Sequence, residues 1–265
     1  MKAIIFPGQG VRFPDIMGLD LMKTINSQPT VFLYCTALAL SSPIVPDIVA
    51  GHSLGEFAAL VISKAISFED GLNLVLHRAS ITQKVCEAQE LAMGVVIGLT
   101  DHHIERRTKE ISEESGEPVY IANYNGDGQV VITGTKKGIR LACEAFKNDG
   151  AKKAVPLSIG GAFHSPFMNK AGWEFAEIIL ATKFNKPICP VVQCADGLPH
   201  TDPDKIKSNL IKHITHPVLW TTMVHSMELF GVKEYYEASP DDTLQKIVSR
   251  ITKHKVINLN KTSWI

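Results

Sequence analysis

Short apolar runs alternate with helically spaced apolar residues along most of this chain. Residues 3–6 and 48–50 are brief apolar runs, each ended by proline or glycine, the mark of buried strands bounded by turns. After the second run, Leu54, Phe57, Ala58, Val61 and Ala65 recur at the spacing of one helical face. Ser67-x-x-Asp70 then resembles a capping box, with aspartate where glutamate or glutamine is usual. It opens an amphipathic stretch from residue 72 to about 85. From residue 93 the order changes. VVIGL at 95–99 reads as a strand, 101–115 as a charged helix and VYIANYN at 119–125 as a strand. QVVITG pairs with that strand across the turn signal Asn125-Gly126-Asp127-Gly128. A helix over 136–149, a stop at Gly150 and a strand at 153–157 complete a β-α-β-β-α-β order, the ferredoxin-like signature. The pattern predicts an α/β protein with residues 91–157 inserted between the two parts, 1–90 and 158–265, of a larger unit.

Composition narrows this picture only a little. The 265 residues are 45% apolar and 20% charged, an ordinary globular balance with enough length for a substantial core. Lys+Arg and Asp+Glu both number 27, so nothing favours nucleic acid as a partner. The apolar run at the start, broken by Pro7 and Gly8, is too short for a signal-peptide core, and no run is long enough to span a membrane. Five cysteines without a C-x-x-C pair suggest neither a disulfide framework nor a zinc site. The expectation is a cytoplasmic protein with no membrane or metal requirement.

The first candidate chemistry lies at Gly51-x-Ser53-x-Gly55, between an apolar strand and a helix. That context suits a nucleophile elbow, whose glycines clear space around a strained serine. An alternative is chemically real: Ser53 as a helix N-cap with Glu56 completing a capping box. The two readings are compatible, since a serine at a helix start also meets the positive end of the dipole. A nucleophile needs a base within reach. His52 is poorly placed, because neighbouring side chains on a sharp turn diverge. His164, in the loop Ile159-Gly160-Gly161-Ala162-Phe163-His164-Ser165-Pro166, has the most distinctive setting of the other histidines. His102, His103, His213 and His216 lack the spacing of a familiar metal site. Gly8-x-Gly10-x-x-Phe13 lacks the third glycine of a dinucleotide fingerprint and suits a loop that lends an N–H to an oxyanion.

Taken together, FPGQG at 6–10, GHSLGEF at 51–57, the arginine ending LNLVLHR at 72–78, MGVVIGL at 93–99, ANYNGDGQVVITG at 122–134 and GAFHSPFM at 161–168 stand in a telling order. In this order they resemble the malonyl-CoA:acyl-carrier-protein transacylases, a family that includes the fatty-acid enzyme and polyketide synthase acyltransferases. The resemblance runs from residue 1 through PVLW at 217–220 to about residue 251. It implies a hydrolase-like parallel-sheet core subdomain carrying the ferredoxin-like α+β insert. It also implies roles for individual residues. Ser53 would attack the malonyl thioester, with His164 as base. Backbone N–H groups of Gln9 and Leu54 would hold the oxyanion, and Arg78 would pair with the free malonyl carboxylate. The histidine would be oriented by a main-chain carbonyl, here in the region of His213, rather than by an aspartate. Malonyl-CoA would be the substrate and an acyl carrier protein the partner, with no permanently bound cofactor.

The chain departs from the family pattern in several places. Val11-Arg12 follows the GQG in place of Ser-Gln, and only 40 residues separate Gly10 from Gly51, a shorter stretch than the family's, the missing part lying mainly before Gln28. QPTVFLYCTALAL at 28–40 still resembles the family's helix there. Ala-Ser-Ile-Thr82 follows the arginine where Gly-x-x-Met is usual, His213 stands for a glutamine, and Ser239-Pro240-Asp241 replaces Gly-Pro-Gly. Three functions fit this set: malonyl transfer for fatty-acid or polyketide synthesis, hydrolysis of acyl groups from carrier proteins, and a catalytically weak carrier-protein docking module. Arg78 favours the first, because a hydrolase of unsubstituted acyl groups has no use for a buried cation.

Overall fold

The computed structural model describes residues 1–13, 20, 21 and 23–262. Its main sheet contains β1 (Lys2–Phe6), β2 (Ile48–Gly51), β7 (Val191–Val192), β8 (Pro199–His200), β9 (Glu234–Glu237) and β10 (Lys255–Asn258), in the order β10-β9-β1-β2-β7-β8. Every pairing is parallel except that of β7 with β8. The second sheet, β4-β5-β3-β6, is antiparallel throughout and comprises β3 (Leu91–Ile97), β4 (Val119–Tyr124), β5 (Gln129–Thr135) and β6 (Lys153–Gly160). With α4 (Asp101–Ser115) and α5 (Lys136–Asn148) it has the predicted β-α-β-β-α-β order. Its last strand runs on to Gly160, three residues past the predicted end of the insert.

The main sheet is covered on both faces, as parallel sheets require. β1 shows how its sequence does this. Ile4 and Phe6 point to one side, toward α1 (Thr24–Ser41), α2 (Gly55–Ile62), α3 (Phe68–Ala88), α6 (Asn169–Ala181) and α7 (Pro203–Lys212). Ala3 and Ile5 alternate to the other side, joining Trp220, Met223 and Met227 of α8 (Trp220–Phe230) and Leu244 and Val248 of α9 (Thr243–Ile251). A third cluster fills the insert, with Ile104, Phe146 and Val96 at its centre. Ser67 caps α3 through its Oγ, which accepts from Asp70 N–H at 3.0 Å. Gly116, at φ 67°, ends α4 in the left-handed conformation.

The two sheets are joined at one seam. Tyr124 N–H donates to Val218 O and Val218 N–H to Ala122 O, both at 2.9 Å, extending the edge of the insert onto the loop before α8. That seam brings Asn123 and Asn125 against the C-terminal end of β2, where ligands gather in open α/β sheets. The predicted shortening between Gly10 and Gln28 falls partly on residues 14–19 and 22, which lie outside the described residues. Among the described residues, no helix is long and apolar enough to cross a membrane.

Candidate active site

The turn from β2 into α2 has almost no room for side chains. A Cβ on Gly51 would fall 2.0 Å from the carbonyl carbon of Gly55, and one on Gly55 would fall 2.3 Å from Phe6 O. Glycine at both positions lets the chain fold back tightly and forces Ser53 between them to φ 50°, a rare and strained state for a non-glycine residue. His52 N–H donates to Phe6 O at 2.8 Å and Glu56 N–H to Ser53 O at 2.9 Å, fixing the turn against β1. The serine hydroxyl is thereby aimed out of the helix, toward the cleft between the sheets.

This geometry overturns the expectation that Glu56 completes a capping box with Ser53. The N-cap position of α2 belongs to Leu54, in a right-handed conformation and without a side-chain cap. Glu56 is buried at 1% exposure, and its oxygens accept from Gln193 Nε2 and Cys194 N–H, each at 3.0 Å. A serine held at positive φ cannot also adopt the extended backbone of an N-cap, so the glutamate is free to point into the core.

His164 reaches Ser53 from the loop before α6, its Nε2 2.8 Å from Ser53 Oγ. The ring's other nitrogen, Nδ1, lies 3.0 Å from His213 O and 3.1 Å from His216 O. Carbonyls only accept, so Nδ1 carries the proton, Nε2 presents a lone pair and the Ser53 hydroxyl donates to it. His164 is itself at φ 60°, held by its N–H donating to Ile214 O at 2.9 Å. Burial, then the neighbouring His213, Arg78 and His52, keep it well below the usual histidine range, hence neutral and ready to accept a proton. His52 is turned elsewhere, with Nε2 2.8 Å from Asn125 Oδ1 and its ring against Trp220.

Arg78, on α3, is 1% exposed, and its Nη2 donates to Ser53 Oγ at 3.2 Å. Its Nε and Nη1 find no hydrogen-bond partner. Burial lowers it to about 10, so it stays charged at neutral pH. A buried guanidinium with two unpartnered nitrogens beside a serine is costly unless an anion completes it, and its planar fork matches a carboxylate.

Gln9 lies in the loop after β1 and lines the Ser53 cleft with Gly8, His52, Asn123, Phe163 and His164. Its side chain is tied back to α1: Nε2 donates to Ser27 Oγ at 2.8 Å and Oε1 accepts from Gln28 Nε2 at 3.2 Å. Gln28 also donates to Thr82 Oγ1, which donates to Arg78 O at 2.7 Å. This chain of bonds links the loop of Gln9 to the helix of Arg78. Beyond the serine the cleft opens into a cavity of about 340 Å3, with walls that include Met93, Val95, Val131, Leu157 and Ile247.

Of the predicted residues, Gln9, Ser53 and His164 line one cleft, Arg78 reaches Ser53 Oγ, and Leu54, next to the serine in the chain, is buried. His213 meets His164 through its backbone, and so does His216, which the sequence did not single out. A carbonyl leaves no residue signature. The Gln28–Thr82 link was equally hidden, because it exists only once α1 packs on α3. Glu56, Cys194 and His213 bring one potential metal-ligand atom each within 4.8 Å of one another. Both oxygens of the glutamate are already hydrogen-bonded, and the thiol donates to Gly51 O at 3.1 Å.

The sequence profile of the acyl transferase domain matches residues 18–258. A malonyl CoA-acyl carrier protein transacylase of Bacillus subtilis is 34% identical over 239 residues, covering 88% of this chain and 74% of the relative. One from Escherichia coli is 35% identical over 236 residues, covering 88% and 76%. Among solved structures, a type II polyketide acyl-carrier protein in complex with its malonyl-transacylase matches at TM-score 0.92 and 29% identity, covering 98% of this chain and 96% of that one.

Proposed function

The chain belongs to the acyl transferase domain family, and from that premise we propose that it transfers a malonyl group from CoA to the phosphopantetheine thiol of an acyl carrier protein through an acyl-enzyme on Ser53. It is a malonyltransferase of fatty-acid or polyketide synthesis, with malonyl-CoA as substrate and a carrier protein as partner. The observation that carries the site assignment is the pairing of a Ser53–His164 dyad with a buried, two-thirds-unpartnered arginine at 3.2 Å. A dyad alone fits any acyl transfer; the arginine selects an acyl group that ends in a carboxylate.

In the first half-reaction Ser53 Oγ attacks the thioester carbonyl as His164 Nε2 takes its proton. The carbonyls of His213 and His216 hold the ring in the one tautomer that allows this. Backbone N–H groups of Gln9 and Leu54 receive the oxyanion, and Arg78 holds the malonyl carboxylate. The imidazolium then protonates the departing CoA thiolate. In the second half-reaction neutral His164 takes the proton of the incoming carrier thiol, which attacks the ester carbonyl; as the tetrahedral intermediate collapses, the imidazolium gives that proton to the departing Ser53 Oγ. The reaction overall exchanges one thioester for another and is nearly balanced in free energy, so the outcome depends on keeping water from the ester. The burial of His164 and the cavity's largely apolar walls serve that end. The two-part division, with 91–157 inserted between 1–90 and 158–265, belongs to the same reading: the insert supplies Met93, Asn123 and Asn125 to the far wall of the cleft.

The test is to mix the protein with malonyl-CoA and a phosphopantetheinylated carrier protein and follow both malonyl-carrier and free malonate. Malonyl-carrier should accumulate well ahead of malonate. Malonate as the main product would overturn the transferase reading in favour of hydrolysis.

A further inference from the structure

Glu56 is a fully buried carboxylate for which the reaction above has no use. Behind the dyad, His213 Nδ1 lies 3.4 Å from Glu56 Oε2, and neither ring nitrogen of His213 has a hydrogen-bond partner. His213 is only 2% exposed, and its ring stands edge-on to that of His164, centroids 5.9 Å apart. The residue expected at this position from the family resemblance is a glutamine, which cannot titrate. This chain therefore has a second imidazole directly behind its base.

The two rings differ in what a proton would meet. Both nitrogens of His164 are already committed, one to two carbonyls and one to Ser53, and the Arg78 guanidinium reaches the same serine. A proton added to His164 Nε2 would reverse the Ser53 hydrogen bond, making the ring a second cationic donor on an oxygen that already accepts from the Arg78 guanidinium. His213 has free nitrogens, and a small closure toward Glu56 would turn the 3.4 Å approach into a charge-assisted hydrogen bond. Resting on the Ser53–His164 reading, we propose that His213, rather than His164, takes the first proton as pH falls, and that this event switches acylation off.

Electrostatics supplies the link between the proton and the rate. With His213 neutral, the Glu56 anion leaves net negative charge behind His164, which supports the imidazolium that forms when Ser53 is deprotonated. A proton on His213 neutralises that pair and places a cation 5.9 Å from the ring that must become positive. The titratable groups that face this pair are Glu56 from α2, Arg78 from α3, Cys194 after β7, and His52 and His164 beside the serine. Burial pushes both imidazoles down. For His213 the contact with Glu56 counters this while Arg78 adds to it; His164 is pushed further down by His213, Arg78 and His52, with only the His216 carbonyl opposing. Burial and Glu56 push the Cys194 thiol well up, so it adds no charge.

The experiment is the pH dependence of single-turnover malonylation for the wild type and His213→Gln, with folding checked by circular dichroism at each pH. The acid limb of the wild type should move to lower pH in the variant by about half a unit or more, the signature of removing the first proton acceptor of a coupled pair. Carbon-13 NMR of the two imidazoles in the wild type gives their order independently of any variant and of activity, with His213 expected to titrate above His164. Coincident acid limbs, or His164 titrating first, would overturn the proposal. A wild type that never acylates would instead defeat the Ser53–His164 reading, and this inference with it.

Discussion

Ser53 and His164 face each other across 2.8 Å and share a left-handed backbone, φ 50° and 60°, but the two regions that hold them work by opposite means. The serine is fixed locally. Gly51 and Gly55, two residues either side, leave the chain no other path, because a Cβ at either would enter backbone. The histidine is fixed remotely, by three carbonyls of the 213–216 loop about fifty residues onward. A strained serine can be encoded in five consecutive residues, whereas the tautomer of the histidine facing it depends on a contact that exists only after folding.

This difference can be broken at either side. Removing the proposed nucleophile has the largest expected effect: Ser53→Ala should lower malonyl transfer by about 10^4-fold or more while leaving the fold intact. Next comes the local constraint. Gly55→Ala drives a Cβ to 2.3 Å from Phe6 O and should destabilise the protein by about 3 kcal/mol, read from denaturant midpoints. Arg78→Ala should lower malonylation by about a hundredfold through loss of a charge-assisted bidentate contact, while acetylation of Ser53, which never used the guanidinium, changes little. The smallest effect is expected at the remote constraint. Pro217→Gly frees the loop that presents the His213 and His216 carbonyls and should slow acylation by about tenfold or less, with a stability loss of about 1 kcal/mol. A Pro217→Gly effect as large as that of Gly55→Ala on stability would show that the loop, too, is a structural keystone, and the contrast would fail.

The same contrast explains what could be read from the sequence. The elbow and the insert were legible because their signals are local: glycine spacing, the Asn-Gly-Asp-Gly turn, and a charged helix over 101–115 that matches Asp101–Ser115 in the structure. Glu56 was misread because S-x-x-E suits both a cap and a buried carboxylate. Only the positive φ of Ser53 and the arrival of Gln193 and Cys194 from the turn after β7 decide between them. The C-terminal strands of the main sheet left little pattern, since β7 and β8 are two residues long and their place is set by pairing rather than by propensity. The carbonyls on His164 left no signal in the residues themselves, because every residue type carries one; the family resemblance alone pointed to the region of His213, and not to His216. Arg78 stood between these cases. A lone arginine on a helix usually reads as a solvated charge, and it was the ordered motifs around it, not its own neighbours, that singled it out.

The proposed malonyl ester on Ser53, its carboxylate held by Arg78, is open to intact mass spectrometry with peptide mapping, after brief exposure to malonyl-CoA or acetyl-CoA in the absence of any carrier protein. A malonyl adduct on Ser53 that far exceeds the acetyl adduct is expected, with loss of that preference in Arg78→Ala. Equal malonyl and acetyl adducts in the wild type, or an adduct that maps to a residue other than Ser53, would contradict it.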